Sequence, residues 1–305
     1  MNLPIEDPNP GIDSGLQPIG RPSDELPWGR TWSRFTNDRT AMAGFFIVIA
    51  FFVVALGVWL GVWGGHWAET TAAQWGPPST EHWLGTTILG QDILARAVFS
   101  TRTAFEIGLV VAVASTLLGA LFGALSGYFA QTAIDGVVLW LKGVLYSIPF
   151  YLFVAAVAFA LDGNPFAMHI AMIATFWTTT ARVVRGEVIK LKNLEFVEAA
   201  RSIGLHPLTI IFRHIVPNTF HILLVQATIV FVAAIKSEVI LSFLGLGVQD
   251  SISWGLMIAE STTEVLAGHY MNFVAASGFM FALVMGVNLC SDGLQDALDP
   301  KRPIR

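Results

Sequence analysis

The stretch Glu198-Ala199-Ala200-Arg201-Ser202-Ile203-Gly204-Leu205, followed by His206-Pro207 and later by Pro217-Asn218, gathers charge, small residues and helix breakers in one place. Its chemistry is recognition rather than bond making. A polar helix, a glycine stop and a second helix make a compact shape that a soluble partner can grip. Residues for covalent or metal chemistry are not assembled by spacing anywhere. His66, His82, His169, His206, His214, His221 and His269 are scattered, without carboxylates at ligand or catalytic intervals. The single cysteine, Cys290, can form no internal disulfide and reads as filler at a helix interface.

Within the loop, Asn193 is expected to cap a helix over 194–203. Phe196, Ala199, Ala200 and Ile203 would share one face, and Glu195 and Glu198 would suit the helix dipole. Gly204 fits the position after the helix, where a left-handed backbone ends it. Pro207 fits the first turn of the next helix, whose apolar face is Leu208, Ile211, Phe212 and Ile215. From pattern alone two readings stand: an ordinary amphipathic loop, or a docking element.

The elements that position this loop are hydrophobic. The composition is 54 % apolar and only 13 % charged, against about 25 % charged in a soluble domain. Six uncharged or nearly uncharged runs reach membrane-spanning length: 41–63, 107–130, 143–161, 165–181, 215–235 and 271–289. The expected fold is therefore an all-α polytopic membrane protein with six transmembrane helices. Val239 to Val248 is apolar but too short to span, and is expected at the interface or re-entering.

Of the 17 basic residues, all but Arg96, Arg102 and Lys236 fall on one side, which places both termini in the cytoplasm. The chain divides into a cytoplasmic tail (1–40), a first span (41–63), an extracytoplasmic segment (64–106), a five-helix core (107–291) with a cytoplasmic loop at 182–214, and a C-terminal tail (292–305). The tail is polar, carries no cleavable signal and reads as mostly disordered. Trp28, Trp32 and Phe35, between Arg30, Arg34 and Arg39, suit an amphipathic stretch on the membrane surface. A net charge of −5, with basic residues sorted by side, gives no support for nucleic-acid binding.

Inside the spans, Ser115-x-x-x-Gly119-x-x-x-Gly123-x-x-x-Gly127 lines one helix face with small residues, for close packing or for movement of that face. Pro149 falls mid-helix and should kink it, either for packing or as part of a gate. Asp135, Asp162, Glu187, Glu238 and Asp292 lie at span ends, so no carboxylate chain runs through the core as proton- or sodium-coupled transport requires. The energy source is expected outside this chain. Three rival readings remain: an autonomous secondary transporter or channel, a membrane-embedded enzyme, and a scaffold for cytoplasmic partners.

Glu198-Ala199-Ala200-x-x-x-Gly204, with Ile215-x-Pro217 after ten residues, resembles the EAA loop of permease subunits in bacterial ABC importers. Further motifs resemble the C-type subunit of the peptide/nickel branch. These are His82-Trp83-Leu84-Gly85-Thr86 with Leu89-Gly90, Asp92 and Arg96; Ser242-Phe243-Leu244-Gly245-Leu246-Gly247 with Trp254-Gly255; and Asp292-Gly293-Leu294 with Asp296-Ala297-Leu298-Asp299-Pro300. Thr87, Gln91, Ala95 and Gln295 depart from that pattern, and prolines usual between Gly247 and Trp254 are missing.

The resemblance implies a type I importer half-pore in the bacterial inner membrane, paired with a homologous permease subunit. It implies two ABC ATPase subunits that bind ATP and Mg, and an extracytoplasmic binding protein that delivers peptides or similar small solutes; nickel, opines and sugars also travel through such subunits. Glu198 and Arg201 would make polar contacts with the ATPase, Ala199, Ala200 and Leu205 would fit its groove, and Gly204 would set the turn, with Pro217 at the entry of the fifth span also counted among the coupling residues. Pro149, Ser242, Phe243, Leu244 and Gly245 are gate or pore candidates. No G-x-x-x-x-G-K-[ST] phosphate loop occurs, so a catalytic role in ATP hydrolysis is not expected of this chain.

Overall fold

The computed structural model describes residues 27–70, 73–161, 164–247 and 251–298, with side-chain surroundings from residue 31 onward. The tail to residue 26, the side chains of Trp28 and Arg30, Asp162, Val248, Asp250 and Asp299-Pro300 lie outside what is described.

The architecture is all-α. A short helix, α1 (Pro27–Asn37), turns at Asp38 into α2 (Arg39–Trp59). Asp38 fixes that start by accepting from the Thr40 amide at 2.8 Å. Phe35 is buried against Leu294 and Ala297 near the other end of the chain rather than lying outward. After a segment without helices comes α3 (Ile93–Tyr128), 36 residues long, capped by Asp92 accepting from the Ala95 amide at 2.7 Å. Next are α4 (Ala133–Ser147), α5 (Phe150–Ala160) and α6 (Ala167–Leu191). The short α7 (Glu195–Ser202) and α8 (Pro207–Thr209) lead through a π-helical turn (Ile210–Ile215) and a 3-10 turn (Val216–Thr219) into α9 (Phe220–Phe243). Finally come α10 (Trp254–Leu266) and α11 (Met271–Leu298).

Four helical runs among the described residues are long and apolar enough to cross a membrane: Arg39–Trp59, Ile93–Tyr128, Pro207–Phe243 and Met271–Leu298. The pair α4 and α5, bent by 93° at its break, makes a fifth if it is one span. Six were expected. The remaining run, 165–181, lies in α6, where His169, three consecutive threonines at 178–180, Arg182 and Arg185 dilute the apolar content.

Helix bounds also differ from the apolar runs, because backbone hydrogen bonding continues where hydropathy stops. The stretch 94–105, part of the segment expected outside the membrane, is the first part of α3. Val239 to Phe243 is the last turn of α9, not a separate short element. Pro149 breaks the chain into two helices instead of kinking one, since Ile148 is extended (φ −98°, ψ 127°) as the residue before proline prefers.

The bundle is held by close helix contacts. The small-residue face of α3 packs on α6: a Cβ at Gly123 would sit 2.8 Å from the Ala181 carbonyl oxygen and 2.9 Å from the Val184 Cβ. Only a bare backbone fits there. A second core joins α3, α9, α10 and α11 around Ile107, Phe231, Leu241, Trp254 and Leu283.

Candidate coupling loop and the opposite end of the bundle

Chain direction puts the end of α3, the start of α4, the end of α6 and α7 at one end of the bundle. There α7 is anchored by one face only. Val197 and Ala200 are buried against Ala124, Val184, Val188, Ile210, Ile211 and Ile215. The face expected from periodicity is therefore split. Ala200 goes into the protein's own core, while Ala199, Phe196 (39 % exposed) and Ile203 (76 % exposed) face away from it. Leu208 and Phe212 on the following turns are exposed in the same manner, whereas Ile211 and Ile215 are buried.

The start of α7 corrects another expectation. Leu194 occupies the N-cap position, and the Asn193 side-chain Nδ2 instead donates back to the Ile189 carbonyl at 3.2 Å. Its end matches what the glycine suggests. Gly204 has φ +81°, its amide donates to the Arg201 carbonyl at 3.0 Å, and the Leu205 amide reaches the Ala200 carbonyl at 3.2 Å. The Arg201 guanidinium lies 6.0 Å from the Tyr128 ring centre at the end of α3. His206 caps α8 through its Nδ1, which accepts from the Leu208 amide at 3.3 Å, and Pro207 fills the first turn. Glu198 is exposed on α7, and Pro217 is exposed in the 3-10 turn that leads to α9.

Behind this loop sits an ion pair that sequence reasoning left unassembled. Arg185 donates from Nε and Nη2 to both Asp135 oxygens, at 2.9 and 2.8 Å. Asp135 also accepts from the Ser126 hydroxyl and from the Gln131 amide. One buried carboxylate thus ties α3, the turn after it, α4 and α6 together. Spacing could not reveal the pair, because the partners lie 50 positions apart.

The gate candidates disperse. Pro149 is exposed at the start of α5, whose Phe150 ring stacks on Phe176 of α6 at 5.2 Å. Ser242 is buried, donates to Glu238 and lies 3.4 Å from the Ser253 hydroxyl, which caps α10. Phe243 and Leu244 are exposed, and Gly245 makes the left-handed turn (φ +78°) that ends α9.

At the end of the bundle opposite α7, the motif around His82 folds the helix-free segment down. His82 Nδ1 is 2.8 Å from Asp92 Oδ2. Arg96 is buried and ion-paired with Glu260 of α10, and Glu264 accepts the Ile88 amide at 2.8 Å. Burial raises the Glu260 carboxyl above its ordinary value, and the neighbouring Arg96 offsets part of that rise. The Trp254 indole donates to the Ala97 carbonyl at 2.9 Å and locks α10 to α3. Among the described residues, no group of three or more His, Cys, Asp or Glu side chains converges as for a metal ion.

Fold and loop together define a polytopic, all-α membrane protein with a half-anchored amphipathic helix at one end. Residues 115–302 match the family described as binding-protein-dependent transport system inner membrane component, and the chain belongs to that family. It is 35 % identical to the dipeptide transport system permease protein DppC of Bacillus subtilis, over 88 % of this chain and 84 % of that protein. Similarity to the oligopeptide transport system permease protein OppC of Mycobacterium tuberculosis is 36 % identity, over 88 % and 92 % of the two chains. The glutathione transport system permease protein GsiD of Pectobacterium atrosepticum is 34 % identical, over 92 % and 93 %. The chain is thus a membrane-embedded permease component of an ABC-type importer, multi-pass in the bacterial inner membrane.

Proposed function

We propose that this chain forms half of the translocation pathway of an ATP-driven importer of peptides. A homologous permease subunit completes the pathway, and two ATPase subunits bind ATP and Mg. An extracytoplasmic binding protein delivers substrate to the end of the bundle that carries the His82 motif. Both termini are cytoplasmic, and α6 and the α4–α5 pair supply the crossings that bring the number to six. The peptide class rests on relatives named for dipeptides, oligopeptides and glutathione, which share the amide linkage.

The observation that carries the reading is the one-sided anchoring of α7. Val197 and Ala200 hold it to α3 and α6, while Phe196, Ile203, Leu208 and Phe212 stay exposed. A large apolar surface left open beside charged residues marks an interaction site. In this scheme Ala199 enters a groove on the ATPase, Leu205 backs it from its place against the core that holds Ala200, and Glu198 and Arg201 make polar contacts at the rim. Gly204 fixes the angle between α7 and α8, and Pro217 ends the loop. Because Ala200 belongs to the permease core, a push on α7 passes directly into α3, α6 and the run that becomes α9.

The test is uptake by proteoliposomes holding the purified complex, with binding protein and a labelled tetrapeptide outside and ATP within. ATP-dependent accumulation that survives collapse of proton and sodium gradients is expected. Uptake driven by an ion gradient without ATP would replace this reading with the autonomous-transporter alternative.

A further inference from the structure

A cavity of about 430 Å³ lies between the helix-free segment and the α10–α11 turn, lined by Trp75, Glu264, His269, Tyr270 and Asn272 among others. Its polar groups are unusually placed. Asn272 is 1 % exposed; its Nδ2 donates to the Met257 carbonyl at 3.5 Å, while its Oδ1 has no partner. The Trp75 Nε1 is buried and also has no partner. Glu264 is equally buried, with Oε1 taking the Ile88 amide, and Arg96 donates to Glu260 rather than to it.

Trp75 also carries backbone strain. Its φ is +50°, a region bulky side chains avoid, and such outliers gather at functional sites. The strain is held in place. The Trp75 amide donates to the Thr87 carbonyl at 3.1 Å, the Gly76 amide donates to the Thr86 hydroxyl at 2.8 Å, and the indole stacks on His269 at 4.6 Å and 7°. Trp75, Glu264 and Asn272 therefore line the cavity with an aromatic ring, two acceptors and one donor, and two of their polar atoms, closed off from water, are left unsatisfied. Buried groups of that kind are normally paired.

We propose that this cavity binds the free α-ammonium end of a peptide. Glu264 and the Asn272 oxygen accept from the ammonium, and the Trp75 and Tyr270 rings face the charge as aromatic rings face cations. The Trp75 Nε1–H donates to the first peptide carbonyl. A lysine side chain offers the charge but no acceptor beside it, and an acylated amino end offers the carbonyl but no charge. The proposal rests on the peptide-importer reading and adds to it a place where the permease itself reads the amino end.

The experiment uses the intact transporter in nanodiscs, titrated with tetra-alanine and with N-acetyl-tetra-alanine by saturation-transfer NMR. Wild type should bind the free peptide at least about tenfold more tightly than the acetylated one. Glu264→Gln keeps an acceptor for the Ile88 amide, and should remove that preference by weakening only the free peptide. Trp75→Phe keeps the stacked ring and should weaken both peptides. Equal affinity of wild type for the two peptides, absence of binding, or an unchanged preference in Glu264→Gln would overturn the proposal. ATP-driven uptake is read in parallel. Uptake without amino-end preference rejects the site and leaves the importer standing; preference without uptake rejects the importer and leaves the site.

Discussion

In the proposed coupling scheme Gly204 sets the angle at which α7 and α8 meet the ATPase, and its replacement should act through the backbone alone. At φ +81°, a Cβ built there meets nothing within 4 Å, so no side-chain clash arises within the chain. The cost is that of a left-handed conformation, about 1–2 kcal/mol for an L-residue. If the free loop relaxes to a right-handed end, docking must restore the turn. ATPase affinity then falls about five- to thirtyfold for Gly204→Val. Gly204→Asn should stay within about twofold of wild type, because asparagine tolerates this region. The assay titrates the solubilised permease pair with purified ATPase subunits and reads stimulated ATP hydrolysis, with membrane yield as the control for insertion. Gly204→Val matching wild type would remove the turn from the mechanism. Gly204→Asn as weak as Gly204→Val would mean that surface bulk, not backbone conformation, is what the ATPase rejects.

Further substitutions probe the scaffold behind the loop. Gly123→Leu must push α3 off α6 and should cost about 1–3 kcal/mol or more, seen as lost membrane yield, whereas Gly136→Ala, whose Cβ meets nothing within 4 Å, should be silent. Asp135→Ala should destabilise by about 3 kcal/mol, the low end for a broken buried pair because Arg185 keeps some contact with water; thermal unfolding in detergent should show the double variant with Arg185→Leu recovering part of it. Pro149→Ala removes the restriction that keeps Ile148 extended. Spin labels on α4 and α5 should then report a straighter pair, and peptide uptake should drop with chain abundance unchanged.

Most of the membrane helices are legible in the sequence, because long apolar runs have few other uses. The helix-ending role of Gly204 and the first-turn role of Pro207 are legible too, since each follows from local backbone conformation. Contacts between distant positions are not. Arg96 and Glu260 meet across 164 positions, and Asp135 and Arg185 across 50. The apolar stripe of α7 illustrates the same limit. Periodicity marks Phe196, Ala199, Ala200 and Ile203 as one group, but the protein's own core takes Ala200 with Val197, and only tertiary packing decides that division. For α6 the difficulty is reversed: packing against the glycine face of α3 lets a helix with threonines and arginines stand among more apolar ones.

Coupling to an external ATPase through α7 and α8 is the central claim. Its most direct measurement is purification of the tagged chain from its native membrane, with all stoichiometric partners identified and ATP hydrolysis assayed, for wild type and for Phe196→Glu with Ile203→Glu. A second permease subunit and two ATPase subunits should copurify with wild type. The variant should keep the permease partner and lose the ATPases. A wild-type chain that purifies without any ATPase, or a variant that retains both, would contradict the account.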